Sequence, residues 1–537
     1  MQTISNDARG KTRMTRREKM KKISLFVLIV FAVASAYPLF AANNDKIKFE
    51  IKSIKQDVSR PLRDMVPAQR AAGVRMIRPN FGPPAADKTI RLDQAWQAGA
   101  TISPSAPSSS GQFEGVGEGL GSYNAIYVPP DTNGDIGASH YVQVVNTDLA
   151  IFDKSGTKLL GPEPTNTLWS GFGGACQTRN DGDATVTYDQ FNNRWIIAQF
   201  TSSKVSRLYY ECVAVSTSGD PLGTYYRYAY SFSNLPDYPK VSVWPSNDSY
   251  VATYNIFGGN FKGAAVCAMQ ISKLKAGAAN TQQCVQLSSS YYSLLAADLD
   301  GATIPATGTD EYVVTAYNGV KFWRFHVDWV TRTNTKMTGP TNISVAAFTN
   351  ACSGSGGNCI PQKGTTVVLD SLSSHVMNRL AYRVFSDHHS IVANHTVSVS
   401  GINAVRWYEF RPSGTALNVY QQGTFSPDTT HRWMGSIAMD KAGDIAMGYS
   451  ASSGSINPAI RYTGRAAADP LNSMQAEATI IAGTGSQNQY SRWGDYSSIQ
   501  ADPVDDCTFW YTTEYLTANG SFNWHTRIAS FKFPGCQ

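Results

Sequence analysis

The sequence predicts an all-β fold, a seven-bladed β-propeller, and two observations support that prediction. The first is composition: 16% charged and 11% aromatic residues, with 44 Gly and 25 Pro in 537 positions, are typical of a turn-rich β protein rather than a helical or disordered one. The second is a pattern of two strands joined by a turn, usually acidic. It recurs from about residue 130 to the C-terminus, at intervals of roughly fifty to eighty residues.

The clearest copy of this pattern is residues 491–511, where a polar segment precedes a short strand, a tight acidic turn and a second strand. Six weaker copies come before it, with first strands that start near Gly134, Thr185, Lys240, Leu295, Arg379 and Gly435. One or two further strands follow in each copy, and four-stranded sheets around an axis leave only short exposed edges. The last copy is short of an outer strand, so we expect residues 122–128 to complete it and close the ring.

The N-terminus has the pattern of a secretory signal peptide over residues 1–36. Eight basic residues among the first 22 precede an apolar run, and Ala34-Ser35-Ala36 forms a small-x-small cleavage site. An uncleaved anchor is the alternative. Residues 37–120 form a leader that we expect to be loosely ordered, with a short strand at 46–54, a short helix at 61–72 and breaker-rich linkers. Residues 121–537 form the propeller.

Charge and cysteine content indicate an exported protein that does not bind nucleic acid. The net charge is +6, but the eight N-terminal basic residues account for it, which leaves the rest close to neutral. Eight cysteines without a C-x-x-C spacing favour structural disulfides in a secreted, periplasmic or cell-surface protein. Pairing of sequence neighbours keeps each bridge within one repeat: Cys176 with Cys212, Cys267 with Cys284, Cys352 with Cys359, and Cys507 with Cys536.

Residues just before the first strands should surround one mouth of the central channel. They are polar and aromatic, and such concave surfaces suit sugars, because carboxylates and arginines bond hydroxyl or acid groups while aromatic rings stack on sugar faces. The predicted substrate-binding residues are Asp237, Tyr238, Arg379, Arg432, Trp433, Arg492 and Trp493.

Two repeats begin with the same dipeptide at matching positions, Arg432-Trp433 and Arg492-Trp493. A pair of arginines that converges on an anionic group, such as a sugar carboxylate, is one interpretation. The alternative is that each Arg-Trp locks neighbouring blades together by hydrogen bonds and packing.

Asp495, Tyr496 and Glu514 are the predicted catalytic residues. They offer an acid, a phenol and a carboxylate for glycosidic cleavage. The alternative is that they cap strand ends in the channel. The sequence contains no G-x-S-x-G, H-E-x-x-H or P-loop motif, so serine hydrolase, zinc protease and nucleotide-binding functions have no support.

One segment has the alternating oxygen side chains of a calcium loop. Asp131, Asn133 and Asp135 are the candidate metal ligands, and calcium is the only candidate cofactor. A turn stabilised by its own Asx hydrogen bonds is the alternative.

Three segments resemble the secreted bacterial propellers of the sialidase and Asp-box (BNR-repeat) superfamily. They are residues 440–444 and 153–157, both interpreted as turns between the first two strands of a repeat, and residues 492–498. The resemblance covers residues 122–537 as architecture, and neither turn has the Ser and Trp of the full Asp box. It implies a three-arginine cluster, which Arg379, Arg432 and Arg492 would supply.

These observations together predict an exported propeller that recognises an extracellular, acidic glycan or cell-surface glycoconjugate at its channel mouth. Hydrolysis of that glycan is left open, as is the oligomeric state. A non-catalytic surface adhesin or protein-interaction scaffold is the alternative function.

Overall fold

The computed structural model describes residues 46–70, 75–76, 89–97, 106–202, 208–353, 357–373 and 375–537. The predicted signal peptide lies outside these residues. The described chain is all-β and propeller-like, with only short helical segments. The α-helices are Gly174–Thr178 and Ile271–Leu274, and the 3-10 segments are Leu62–Asp64, Thr165–Trp169, Pro245–Asn247, Arg332–Asn334 and Ala351–Ser353. No helix in these ranges is long and apolar enough to cross a membrane.

Seven antiparallel units of four strands follow one another in the described chain. Unit 1 consists of Asn133–Ile136, His140–Val145, Asp148–Asp153 and Lys158–Pro164. Unit 2 consists of Gly182–Asp189, Arg194–Ser202, Tyr209–Ser216 and Tyr225–Phe232. Unit 3 consists of Leu235–Trp244, Ser249–Gly258, Asn260–Gln270 and Thr281–Leu287. Unit 4 consists of Leu295–Asp300, Glu311–Thr315, Lys321–His326 and Lys336–Asn342. Unit 5 consists of Leu380–Val384, His389–Val399, Ile402–Ser413 and Ala416–Phe425. Unit 6 consists of His431–Met439, Ile445–Ser453, Ile456–Arg465 and Ala478–Ile481. Unit 7 consists of Ser498–Ala501, Thr508–Leu516, Trp524–Lys532 and, from earlier in the chain, Ser108–Glu114.

The remaining strands lie outside these units and are mostly short. They are Lys46–Val58, Arg75–Met76, Trp96–Gln97, Tyr127–Val128, Thr349–Asn350, Asn358–Ile360 and Leu369–Asp370. All seven predicted pairs of first and second strands are present and antiparallel.

The first strands of the units form a closed ring. Each contacts the first strand of the next unit, and that of unit 7 contacts that of unit 1. Hydrogen bonds link the ring: Asn133 Oδ1 accepts the Val186 N–H at 2.8 Å, and the Ser498 hydroxyl donates to the Gly134 carbonyl at 2.8 Å. Because the strands run the same way round the ring, the segments that precede them meet at one end.

Apolar side chains fill the spaces between neighbouring units. One core joins Val144 of unit 1 to Ile197 of unit 2, and the next joins Val213 of unit 2 to Tyr254 of unit 3. Both faces of the inner strands are therefore covered, which explains why the first and second strands of the units are buried on nearly every residue.

The predicted strand at 46–54 is present as Lys46–Val58, but the expectation of a loosely ordered leader is wrong for its described strands. Lys46–Val58 inserts between the outer strands of units 2 and 3 and joins them into one nine-stranded sheet. Trp96–Gln97 extends unit 5. The expected helix at 61–72 is only the 3-10 turn Leu62–Asp64. These added strands are held largely by backbone hydrogen bonds to sheet edges, and composition does not reveal such pairing.

The strand that completes unit 7 is also not the expected one. Ser108–Glu114 pairs with Trp524–Lys532, whereas Tyr127–Val128 pairs in parallel with Arg75–Met76. The completing strand lies at a sheet edge with most of its side chains exposed. It therefore needs no apolar alternation, and its serines and glycine have the composition of a linker.

Four disulfides join the cysteines that are neighbours in sequence. The bonds are Cys176–Cys212, Cys267–Cys284, Cys352–Cys359 and Cys507–Cys536. These are the pairings that the repeat boundaries favoured, and they suit an oxidising environment.

Candidate functional site

Four units bring polar side chains together where their first strands begin. We call this set the axial cluster, and its members are Asp131, Asp183, Tyr238, Lys240, Asp495 and Tyr496. The Tyr238 N–H donates to Asp183 Oδ2 at 3.1 Å, and the Tyr238 hydroxyl donates to the Asp495 carbonyl at 3.4 Å. The rings of Tyr238 and Tyr496 meet edge to face, with centroids 5.6 Å apart. Units 1, 2, 3 and 7 thus contribute to one site.

The backbone enters this end of the ring through a repeated conformation. A non-glycine residue with positive φ precedes or bulges from the first strand in six of the units: Asp131 (53°), Asp183 (51°), Tyr238 (57°), Ser293 (49°), Met434 (53°) and Asp495 (64°). Such φ values are uncommon for these residue types. Because they recur in units 4 and 6 as well, the turn belongs to the architecture, and only the side chains distinguish the axial cluster.

Asp131 is fully buried at the centre of the cluster. Its Oδ2 accepts a hydrogen bond from the Asn146 amide at 2.8 Å, while its Oδ1 has no hydrogen-bond partner. Burial, followed by repulsion from Asp495 and Asp183, raises the pKa of Asp131 well above its usual range. Burial likewise raises the pKa of Asp183 to about 6, against the attraction of Lys240.

Lys240 is the cation of the axial cluster, and sequence analysis treated it only as a strand residue. Its ammonium lies 3.7 Å from the centroids of both the Tyr238 and the Tyr496 rings and donates to the Pro239 carbonyl at 2.9 Å. Burial lowers the pKa of Lys240 to about 8, and the attraction of Asp183, Asp131 and Asp495 limits that fall. The sequence signal that could have identified Lys240 as a site residue is its place at the start of an apolar inner strand, directly after a polar loop.

Unit 7 contributes two further polar atoms of the axial cluster that lack a hydrogen-bond partner. Asp495 Oδ1 and the Tyr496 hydroxyl are buried without a hydrogen-bond partner. Burial, then repulsion from Asp131, Asp183 and Asp495, raises the pKa of Tyr496 well above its usual range. The Asp495 side chain is 14% exposed, so the cluster reaches solvent at this residue.

Arg492 connects the axial cluster to a second group of acids. Its guanidinium donates to Asp370 and Asp495, and Asp370 Oδ1 also accepts the Trp493 N–H at 2.9 Å. Burial raises the pKa of Asp370 to about 6, against the attraction of Arg492. Asp370 lies far from Arg492 in sequence, so no local pattern predicted this partner.

Glu514 lies on the second strand of unit 7 beside this group. Its Oε1 accepts the Gly494 N–H at 2.6 Å. Burial raises the pKa of Glu514 well above its usual range, and Asp370 and Asp495 add to that rise. The three predicted catalytic residues are therefore close neighbours, with Asp495 and Tyr496 in the axial cluster and Glu514 adjoining it.

Arg432 belongs to a different network. It donates to Glu477 Oε1 at 2.7 Å and Oε2 at 2.9 Å, and to Asp428 at 2.9 Å. Arg461 and the Tyr449 hydroxyl also donate to Glu477. All these residues belong to unit 6 or precede it, so Arg432 acts within its own unit.

Arg379 forms a third network, between units 4 and 5. It donates to Asp298 at 2.9 Å and to both oxygens of Asp300 at 2.6 and 2.7 Å. Arg379, Arg432 and Arg492 share no carboxylate, and all three are buried. The expected convergence of Arg432 with Arg492, and the three-arginine cluster, are therefore wrong, because each arginine already neutralises acids of its own.

The two predicted stacking tryptophans are core residues. Trp433 and Trp493 are fully buried with ring centroids 5.9 Å apart, and they pack with Leu369, Met434 and Leu516. They hold the segments above the ring in place and present no open face to a sugar. Asp237, by contrast, is half-buried next to Tyr238.

The candidate calcium ligands do not form a loop of their own. Asn133 Oδ1 and Asp135 Oδ2 accept the backbone N–H groups of Val186 and Tyr188 in unit 2, at 2.8 and 2.7 Å. Asp131 belongs to the axial cluster. Among the described residues, no group of three or more His, Cys, Asp or Glu side chains has the arrangement of a metal site.

The two Asp-box-like turns occupy different positions in their units. In both, the first Asp accepts backbone N–H groups two and four residues later at 2.9 Å: Asp440 from Ala442 and Asp444, and Asp153 from Ser155 and Thr157. The turn at Asp440 joins the first two strands of unit 6, as expected. The turn at Asp153 joins the third and fourth strands of unit 1, which corrects its predicted place.

Comparisons with known proteins identify no family. No family model and no curated protein matches the chain. Among solved structures, it is similar to an endo-arabinase from Bacteroides thetaiotaomicron (9% identity, 66% of this chain and 95% of that one, TM-score 0.29). It is also similar to an exo-β-1,3-galactanase from Phanerochaete chrysosporium (8% identity, 78% of this chain and 96% of that one, TM-score 0.31). A third similar structure is the WD40 domain of SCAP from fission yeast (10% identity, 74% of this chain and 94% of that one, TM-score 0.31). Because these TM-scores and identities are low, the fold rests on strand topology and the site on its own geometry.

Proposed function

We propose that the chain is an exported seven-bladed β-propeller that recognises an extracellular glycan at the axial cluster. The seven four-stranded units and the ring of first strands support the blade count. Four disulfides support export to an oxidising compartment, and the N-terminal signal pattern would direct it there.

The observation that carries the glycan proposal is the convergence of unpaired oxygens in one buried place. Asp131 Oδ1, Asp495 Oδ1 and the Tyr496 hydroxyl have no hydrogen-bond partner. A buried polar atom without a partner is costly, so several of them at one place mark a candidate ligand site. Sugar hydroxyls both donate and accept, so they satisfy carboxylates and a phenol together, and the Tyr238 ring adds an aromatic wall.

Hydrolysis would use the acids that adjoin Arg492. A glycosidase needs one protonated acid and one ionised carboxylate. Glu514, whose pKa burial raises, would remain protonated at neutral pH and donate to the leaving oxygen. Asp495, bonded to Arg492, would be the second carboxyl group.

A non-catalytic scaffold is the second candidate function, and the buried tryptophans favour it. Trp433 and Trp493 lie in the core, so the mouth has fewer aromatic faces than a long sugar chain would use. The two candidates differ in one measurable property, turnover.

A glycan array combined with an assay for newly formed reducing ends tests the proposal. The parent should bind one class of glycan, and Asp495→Asn should weaken that binding about tenfold or more. If turnover accompanies binding, Glu514→Gln should abolish turnover while it leaves binding measurable. Asp387→Asn is the control, because this side chain is 79% exposed in the turn between the first two strands of unit 5, away from the segments that precede those strands. Absence of binding to every glycan would refute the proposal.

A further inference from the structure

The charge balance around the axial cluster restricts what it can bind. Among the described residues, seven carboxyl groups lie in the cluster or interact with it: Asp131, Asp183, Glu211, Asp237, Asp370, Asp495 and Glu514. The cations that accompany them in this part of the chain are Lys240 and Arg492. Both cations are engaged by these acids, since Arg492 donates to Asp370 and Asp495 and Lys240 is attracted by three aspartates. A ligand therefore meets a surplus of acids.

An anionic ligand is a poor match for that surplus. A carboxylate or sulfate group brings only acceptors, and the unpaired carboxylate atoms, Asp131 Oδ1 and Asp495 Oδ1, are acceptors too. An anionic ligand would also lose its hydration in a buried setting, which is unfavourable without a free cation to pair with it. The preference for an acidic glycan depended on converging arginines, and these do not converge.

A cationic ligand is also a poor match, because the chain itself already supplies a cation at this place. The Lys240 ammonium sits between two tyrosine rings, 3.7 Å from each centroid, among the aspartates of units 1, 2 and 7. That is the position in which a free ammonium or metal ion would be most favoured. A neutral molecule with several hydroxyl groups supplies the missing donors without adding charge.

We propose that the axial cluster binds the end of a neutral, hydroxyl-rich sugar, with Lys240 as a built-in counter-ion in the place of a metal ion. This inference rests on the proposed function and narrows its ligand. Sugar hydroxyls donate to Asp131 Oδ1 and Asp495 Oδ1, and one of them pairs with the Tyr496 hydroxyl. Lys240 is a positioning residue, since its ammonium lies between the rings of Tyr238 and Tyr496 and attracts the aspartates of three units.

Titration of the purified chain with matched oligosaccharides tests the ligand class. Neutral, uronic-acid, sulfated and amino-sugar forms of equal length should be compared. The neutral form should bind, and the acidic forms should bind about tenfold more weakly or not at all. Tighter binding of acidic or amino-sugar forms would overturn this inference but leave glycan recognition standing. Failure of every form to bind would overturn the proposed function itself, and this inference with it.

A Lys240→Met variant tests the counter-ion role, because methionine is an unbranched side chain of similar size that removes the charge. The variant should lose about tenfold in affinity for the neutral sugar and should gain a calcium-dependent rise in Tm, reversed by chelator, that the parent lacks. Unchanged sugar affinity without any response to calcium would contradict the role.

A competition experiment on the parent gives a result even if the variant does not fold. Excess calcium chloride or methylammonium chloride should leave neutral-sugar binding unchanged at constant ionic strength, because Lys240 fills the cation position. Competitive inhibition by either cation would overturn the proposal.

Discussion

Units 6 and 7 begin with the same dipeptide and use it in different ways. Arg432 of unit 6 is fully buried and bonded to Glu477 and Asp428, within a network that Arg461 and Tyr449 complete. Arg492 of unit 7 bonds to Asp370 and Asp495, and its partner Asp495 keeps an oxygen without a hydrogen bond. Both oxygens of Glu477 are bonded within unit 6, whereas one oxygen of Asp495 has no partner at the axis.

The comparison teaches that the partners of a repeated residue, and not the residue itself, decide its role. Trp433 and Trp493 are equivalent core residues, so the alternative of blade locking describes both tryptophans. Arg432 instead stabilises its own unit, because its partners Glu477 and Asp428 belong to unit 6 or precede it. Arg492, unlike Arg432, bonds directly to a carboxylate that has an unpaired oxygen, and such an oxygen marks a binding site more specifically than a buried ion pair does.

The largest expected effect is that of Arg492→Met. The substitution leaves Asp370 buried without a cation, so the free energy of unfolding should fall by about 5 kcal/mol. Glycan binding by the folded fraction should also be lost, since Asp495 loses its orientation. Urea unfolding and array binding measure the two effects, and Arg492→Lys should recover part of each. A variant as stable as the parent would contradict the assigned network.

Arg432→Met should have a smaller effect, confined to stability. Glu477 keeps Arg461 at 2.5 Å and the Tyr449 hydroxyl at 2.8 Å, so we expect a loss of about 4 kcal/mol or less. Binding by the folded protein should match that of the parent. If this variant weakens glycan binding as much as Arg492→Met does, the distinction between the two units fails.

Asp183→Asn should change the pH dependence of stability. The folded-state pKa of Asp183 is raised to about 6, so its contribution is fully present below about pH 4 and is lost as the pH rises through about 6. The parent should therefore lose up to about 3 kcal/mol relative to the variant between pH 4 and pH 7. Asparagine retains an acceptor for the Tyr238 N–H. Parallel stability curves for the two proteins across this range would show that Asp183 titrates normally.

The smallest expected change in stability comes from Tyr496→Phe. Removal of a buried hydroxyl without a partner should leave the free energy of unfolding unchanged or raise it by up to about 1 kcal/mol. A loss of more than about 1 kcal/mol in urea unfolding would show that the hydroxyl is bonded in the folded state.

Sequence analysis predicted the repeats better than the site. The paired strands around turns such as that of Asp440 have local signals, apolar alternation and Asx-type turn residues, so all seven pairs were located. The outer strand Ser108–Glu114 has no such signal, because most of its side chains are exposed and it lacks apolar alternation.

The composition of the site depended on contacts between distant parts of the chain. Asp370 and Glu477 decide the roles of Arg492 and Arg432, and neither is marked by a local motif. Lys240 had the appearance of an ordinary strand residue until two tyrosine rings and three aspartates were found around it. Asp495 and Tyr496, by contrast, were identified because the residues before the first strands face a common mouth.

Glycan titration of the parent and of Tyr496→Phe is the measurement that tests the central claim most directly. The variant removes one unpaired oxygen of the axial cluster and nothing that the fold needs. We predict that the parent binds a neutral oligosaccharide and that the variant, at least as stable in urea, binds it about tenfold more weakly. Equal affinity of the two proteins, or no binding by the parent, would contradict the account.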